Sequence, residues 1–279
     1  MTQPFPFRQI GDFQITALSD GTMSASLDLL SGIGKDQADA IQCHAGVSEP
    51  GDIHINCYLI RGRGRTILVD AGAGQPDNRG EQLTANLAVV GVTPDDVDTV
   101  LLTHCHPDHI GGLLDAEKQP RFKHAEIRLH PLEAQHWQDD EKMKMTNERG
   151  QRNFCLVREM FHAYAGRMHF FDGEKIAEGI LPVWLPGHTP GHTGFCIGAE
   201  DKRLLIWGDI VHYPHIQAAQ PAVSVLFDTD PGQAEKTRRQ IMEKAVSKKL
   251  IIAGMHLSQA GFARVFREGS GYRISYCEA

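Results

Sequence analysis

Apolar positions along this chain fall into short runs separated by turn residues, with few long amphipathic stripes. Residues 53–60 (IHINCYLI) alternate apolar with polar, and the following RGRGR turns them into residues 66–69, a hairpin by pattern. Residues 13–18 (FQITAL) form another strand, ended by a turn at Ser19-Asp20-Gly21. Val100-Leu101-Leu102 is compact and β-branched at its start, as a buried strand is. From residue 168 onward the runs MHFF, LPVWL, TGFCIG and RLLIW are each bounded by Gly, Pro or Asp. Residues 250–253 add a buried strand, and residues 262–266 with 272–276 a terminal hairpin.

Helical stretches interrupt these strands at residues 80–90, 131–139 and 147–165. A further helix opens at Asp230-Pro231 and runs to about Lys248. Asp caps a helix N-terminus well, Pro suits the first helical position, and basic residues crowd the far end. Strands and helices alternating in both halves, with hairpins among them, predict an α/β fold of stacked sheets with helices outside. No low-complexity linker divides residues 1–279, so a single domain is the simpler expectation.

Several of the apolar strands end in candidate ligands. After the strand at residues 100–102 comes THCHPDHIGG. His104 and His106 are two apart and point to the same side of an extended backbone. Pro107 ends that extension, and Asp108 and His109 enter a helix facing a second point. The Gly111-Gly112 pair permits close backbone packing. Imidazole with carboxylate suits zinc or a neighbouring first-row metal, and two facing groups suggest two metals. The strand at 181–185 runs into GHTPGH (His188, His192), that at 204–207 into Gly208-Asp209, and that at 250–253 into Gly254-Met255-His256. His256 alone would read as an ordinary surface or core histidine; the repetition of strand, glycine and ligand gives it weight.

Composition narrows the function. With 279 residues, 41% of them hydrophobic, the chain can bury a full core. A net charge of −7 provides no basic field for a phosphate backbone, which argues against nucleic acid as partner. The N-terminus shows no signal-peptide pattern and no run approaches the roughly 18 apolar residues of a membrane span. Six scattered cysteines without a CxxC read as free thiols of a reducing compartment, so a cytoplasmic location is expected. Histidine, at 15 residues, is the compositional outlier.

HCHPDH resembles the HxHxDH signature of the metallo-β-lactamase superfamily, and GHTPGHTG, WGDIVH and GMHLS stand where that family keeps its other ligands. Asp70 in VDAGAG resembles its aspartate loop. The resemblance covers nearly the whole chain and implies a four-layer αββα sandwich with the site at one edge between the sheets. It implies that His104, His106 and His188 hold one divalent ion and that Asp108, His109 and His256 hold another. Asp209 would bridge both, and His192 would stay outside the ligand set. The ions would be zinc, with Mn, Fe or Co as alternatives, and a hydroxide between them would attack a carbonyl or phosphoryl centre of a small-molecule substrate. Asp108 could then pass a proton to the leaving group.

GDFQITALSDG, WGDIVH, the helix after FDTDPG and HLSQAGFARVFREGSGYR are similar to the branch of methyl parathion hydrolase and lactonase-like enzymes. An ester, lactone or phosphotriester substrate follows from that similarity, with N-acyl homoserine lactonase as a specific alternative. Well-known lactonases carry a Tyr three residues after the bridging Asp; here His212 stands there, with Tyr213 next, and both are candidates to hydrogen-bond the substrate. A mononuclear iron persulfide dioxygenase would need only the first three ligands. A ligand-free binding module would have lost some of the seven. Trp184 and Trp207 read as core, and Cys105 as a passive buried thiol. His124, His130, His136, His162 and His169 show no partner pattern. Residues 27–50 are open to two readings, a loop over the site or a homodimer contact.

Overall fold

The structure, a computed structural model, describes residues 4–74, 81–171, 175–199 and 202–277. Two sheets stack face to face. The first has seven strands in chain order: Phe7–Ile10, Phe13–Ser24, Asp52–Gly62, Arg65–Val69, Thr99–Leu101, Glu126–Leu129 and Met168–Phe170. Its first four are antiparallel neighbours and the last three join in parallel. The second runs Gly271–Tyr276, Phe262–Glu268, Ile251–Ala253, Lys202–Ile206, Thr193–Ala199, Ile180–Trp184, with only Lys202–Ile206 and Ile251–Ala253 parallel.

The period-2 pattern of the strands sorts the core into three layers. Ile15, Ile60, Ile67 and Val69 of the first sheet meet Phe195, Ile197, Leu204 and Ile206 of the second between the sheets. Their neighbours face the other way. Leu59, Leu68, Val100 and Ile127 pack under helices Leu83–Val89 and Glu148–Ala163 through Leu87, Phe154, Val157 and Met160. Leu205, Ile252, Val265 and Ile274 pack under helix Pro231–Ser247 through Ala234, Ile241 and Met242. Each such side chain contributes roughly 1.5–3 kcal/mol on burial. The result is the expected αββα order of layers.

Local signals worked where the chemistry was local. Asp230 accepts the Gln233 amide at 2.9 Å and Pro231 begins its helix. Asn147 caps Glu148–Ala163 in the same way. The helix expected over 80–90 is Leu83–Val89, and Gly80 lies outside the described residues. The turn expected at Ser19-Asp20-Gly21 is instead a bulge within one long strand, Phe13–Ser24. Asp20 is buried and accepts from the Ala73 and Leu83 amides, each at 2.8 Å, so the bulge swings a carboxylate inward to tie a loop and a helix start. Trp207 is core, but Trp184 is 54% exposed at the sheet edge, where its ring stacks on His130.

Residues 27–50 carry the helix Lys35–His44 and a two-residue strand, Leu30–Ser31, that pairs with Ser224–Val225. Leu27, Leu30 and Ala38 pack there with Tyr213, Ile216 and Val225, directly beyond the turn that carries Asp209. Among the described residues no helix is long and apolar enough to cross a membrane.

Candidate metal centre

Strand Thr99–Leu101 leads through a bend at Thr103 into a loop that is extended at His106 and then turns into the single-turn helix Pro107–Ile110. That geometry sends His104 and His106 to one side and Asp108 and His109 to the other. Gly111 and Gly112 press on the loop after Asp70: a Cβ on either would sit 1.9 Å from the Ala73 carbonyl oxygen or 2.1 Å from that of Ala71. The remaining members arrive from the second sheet, at the ends of Ile180–Trp184, Lys202–Ile206 and Ile251–Ala253.

The structure brings the seven expected residues together in two sets: His104, His106 and His188, and Asp108, His109, Asp209 and His256. His106 Nδ1 lies 2.9 Å from both His104 Nε2 and His188 Nε2. Asp209 Oδ2 lies 3.0 Å from His109 Nε2 and 2.9 Å from His256 Nε2, and 3.9 and 3.8 Å from His104 and His188 Nε2. Asp209 thus belongs to the second set and also lies within 4 Å of two histidines of the first. Asp108 Oδ2 stands 3.5 Å from His109 Nε2 and 3.6 Å from His256 Nε2.

The outward nitrogens show what the inward ones can do. His109 Nδ1 faces Asp70 Oδ2 at 2.6 Å, His188 Nδ1 faces Asp228 Oδ1 at 2.8 Å, and His256 Nδ1 faces the His54 carbonyl at 2.9 Å. Each partner is an acceptor, which places the ring proton on Nδ1 and turns the Nε2 lone pair inward. Lone pairs and a carboxylate then face one another across a buried space, and Asp209 Oδ1 is buried there without a hydrogen-bond partner. Such a donor set fits a cation.

Burial, reinforced by neighbouring imidazoles, holds His104 and His106 well below the usual histidine range. Burial works against the Asp209 carboxylate too, yet His109, His256 and His212 hold it well below its ordinary value. Burial likewise opposes protonation of His109 and His256, but Asp209 pushes both up. Burial raises Asp70 despite His109.

Around these sets the other candidates separate. His192 is buried, pushed down to about 3 chiefly by burial, donates through Nδ1 to the Leu185 carbonyl, and accepts the Asp209 amide at Nε2, 2.8 Å away. It shapes the Asp209 turn from outside the two sets. His212 Nε2 lies 3.1 Å from Asp209 Oδ2, and with His188 and Asp209 forms a third grouping. Tyr213 turns away into the apolar cluster beside residues 27–50, its hydroxyl donating to the Gly51 carbonyl. Cys105 is buried and belongs to neither set. Asp228, Glu133 and Thr103 were missed by sequence reasoning. Asp228 stands in FDTDPG two residues before a helix cap, and only its position in space links it to His188.

The profile of the metallo-beta-lactamase superfamily matches residues 50–256, well over half of the chain. The chain belongs to that superfamily. Among solved structures it is similar to hydrolase AbOPH of the beta-lactamase superfamily, at 27% identity and a TM-score of 0.91, covering 100% of this chain and 99% of that one. It is similar in fold to AidC, a dizinc quorum-quenching lactonase, at 24% identity and a TM-score of 0.91, covering 99% and 98%. The acyl-coenzyme A thioesterase MBLAC2 of Gallus gallus is 26% identical over 229 residues, 78% of this chain and 77% of that protein. The chain spans less than half the length of two other curated relatives it matches, 44% of one from Caenorhabditis elegans and 38% of one from Passalora fulva.

Proposed function

We propose that this chain is a dinuclear metal-dependent hydrolase of a small-molecule ester, lactone or phosphotriester. The observation that carries the reading is the place of Asp209 Oδ2, 2.9–3.0 Å from His109 and His256 Nε2 of its own set and 3.8–3.9 Å from His188 and His104 Nε2 of the three-histidine set. His104, His106 and His188 would hold one ion, and Asp108, His109 and His256 the other, with Asp209 between them. Two divalent ions, zinc by the donor chemistry, supply hydroxide at neutral pH and Lewis-acid polarisation of the scissile group when bound.

The chain's own part is orientation and proton handling. Asp70, Asp228 and the His54 carbonyl hold three imidazoles with their lone pairs inward. His106 and Asp108 are the only members of the seven that are not fully buried, so the substrate approaches on their side. Asp108 faces that approach and would carry the proton given up by the attacking water to the leaving group. Similarity over the full chain to a hydrolase, and over most of it to a thioesterase, supports hydrolysis. Six unpaired cysteines fit a reducing, cytoplasmic setting.

The test is a panel of lactones, aryl esters, phosphotriesters and β-lactams assayed with metal-reconstituted protein. Turnover is expected in at least one of the first three classes. Flat results across the panel with metal bound would overturn the reading.

A further inference from the structure

Glu133 sits on the short helix Pro131–Trp137, fully buried, and belongs to neither set of candidate ligands. Its two carboxylate oxygens divide their work. Oε2 accepts the Cys105 amide at 3.1 Å, and that amide lies between His104 and His106. Oε1 accepts the Gly191 amide at 3.0 Å and the Thr189 hydroxyl, which follows His188 directly. The Trp137 indole N–H also donates to Oε2, at 3.0 Å, and the Trp137 ring packs edge-on against His106, centroids 5.7 Å apart. One carboxylate therefore joins the two loops that carry His104, His106 and His188, and steadies a ring against one of those histidines.

All four partners are uncharged donors, so the group is needed as an acceptor on both oxygens and not as half of an ion pair. The glycine pattern fits: a Cβ at Gly191 would stand 2.6 Å from the Glu133 amide nitrogen, so GHTPGH keeps Gly191 where the loop lies against this helix. The Asp108-His109-Asp209-His256 set is oriented from elsewhere, by Asp70 and the His54 carbonyl. The hydrogen bonds of Glu133 go to the residues flanking the three histidines.

We propose that Glu133 is a positioning residue that sets the spacing of the two loops and thereby the metal affinity of the three-histidine position alone. This rests on the two-metal reading of the site. A Gln at position 133 is nearly isosteric but turns one oxygen into a donor, which must face donors already there. Loss of a group that orients metal ligands typically weakens metal binding about 10–100-fold.

The experiment is a cobalt(II) titration of metal-stripped protein, followed by calorimetry and by the visible d–d spectrum. It compares wild type, Glu133→Gln, His188→Ala and the double variant. His188→Ala identifies which transition belongs to the three-histidine position. Expected for Glu133→Gln is about 10–100-fold weaker binding in that transition with an altered spectrum, an unchanged second transition, and no additional effect in the His188→Ala background. Phe154→Leu, whose native ring packs on Trp137, should lower stability and leave both transitions in place. Should Glu133→Gln not fold, Thr189→Val removes one donor and should weaken the same transition less. Wild-type affinities in both positions for Glu133→Gln, or for Thr189→Val, would overturn this inference while leaving the metal site standing. Wild type that binds no cobalt would overturn the two-metal reading itself.

Discussion

Asp209 Oδ2 has five imidazole nitrogens within 2.9 to 3.9 Å, from His104, His109, His188, His212 and His256. With so many imidazoles around one buried oxygen, the groups that hold their outward nitrogens matter as much as the candidate ligands. Asp228 shows it: its Oδ1 binds His188 Nδ1, while Arg238, itself buried, lies 3.5 Å from Oδ2. Asp228→Ala frees the His188 ring to turn, and calorimetric titration should find metal affinity weakened about 10–100-fold; unchanged affinity would remove Asp228 from the account. Asp108→Asn keeps the shape of the side chain but not its proton affinity. Turnover should fall by about 100-fold or more, and a fully active variant would take Asp108 out of the mechanism.

The elements explain how seven residues from four loops meet. Tyr58, on the first sheet, is buried between the layers; its hydroxyl donates to the Gly254 or Gly261 carbonyl, at 2.9 and 2.6 Å, and accepts the Gly254 amide at 2.9 Å. Those groups begin and end the loop that carries His256. Tyr58→Phe removes these bonds, though the Gly254 carbonyl keeps the Leu257 amide, and should cost about 1–3 kcal/mol in denaturant unfolding, with the slope unchanged; a neutral effect would show that the loop holds itself. At this scale the sequence was informative wherever a strand ran into glycine and a ligand. Thr99–Leu101, Lys202–Ile206 and Ile251–Ala253 were all legible from short apolar runs. The bulge at Asp20 was not, because Ser-Asp-Gly has the composition of a turn and only the amides of Ala73 and Leu83, far along the chain, decide otherwise. Trp184 was misread for a related reason: its strand is the last in its sheet, and no local pattern reports edge position.

For the molecule as a whole, the two sheets act as a rigid frame that brings polar, lone-pair-bearing groups into a buried space. On the proposed reading cations bind this buried set and not the unfolded chain, so metal binding and folding stability should be linked. Chelation should lower the thermal midpoint, and restoring divalent metal should raise it in a concentration-dependent way. A midpoint indifferent to metal would mean that the buried set tolerates its own lone pairs. Alternation of strands and helices gave stacked sheets with helices outside, and the αββα order and the seven candidate ligands came with the resemblance of HCHPDH, GHTPGH, WGDIVH and GMHLS to the superfamily. The groups that orient them, Asp228, Glu133 and the His54 carbonyl, could not be read in this way, since nothing in their neighbourhood along the chain marks them; their partners at the site lie 28 to 202 residues away. The central claim is a shared carboxylate between two metal positions. Its most direct test is the metal content of the purified protein by elemental analysis, paired with an oxygen-uptake assay on a persulfide. The account predicts about two divalent ions per chain and no oxygen uptake; a single iron per chain with oxygen consumed would contradict it.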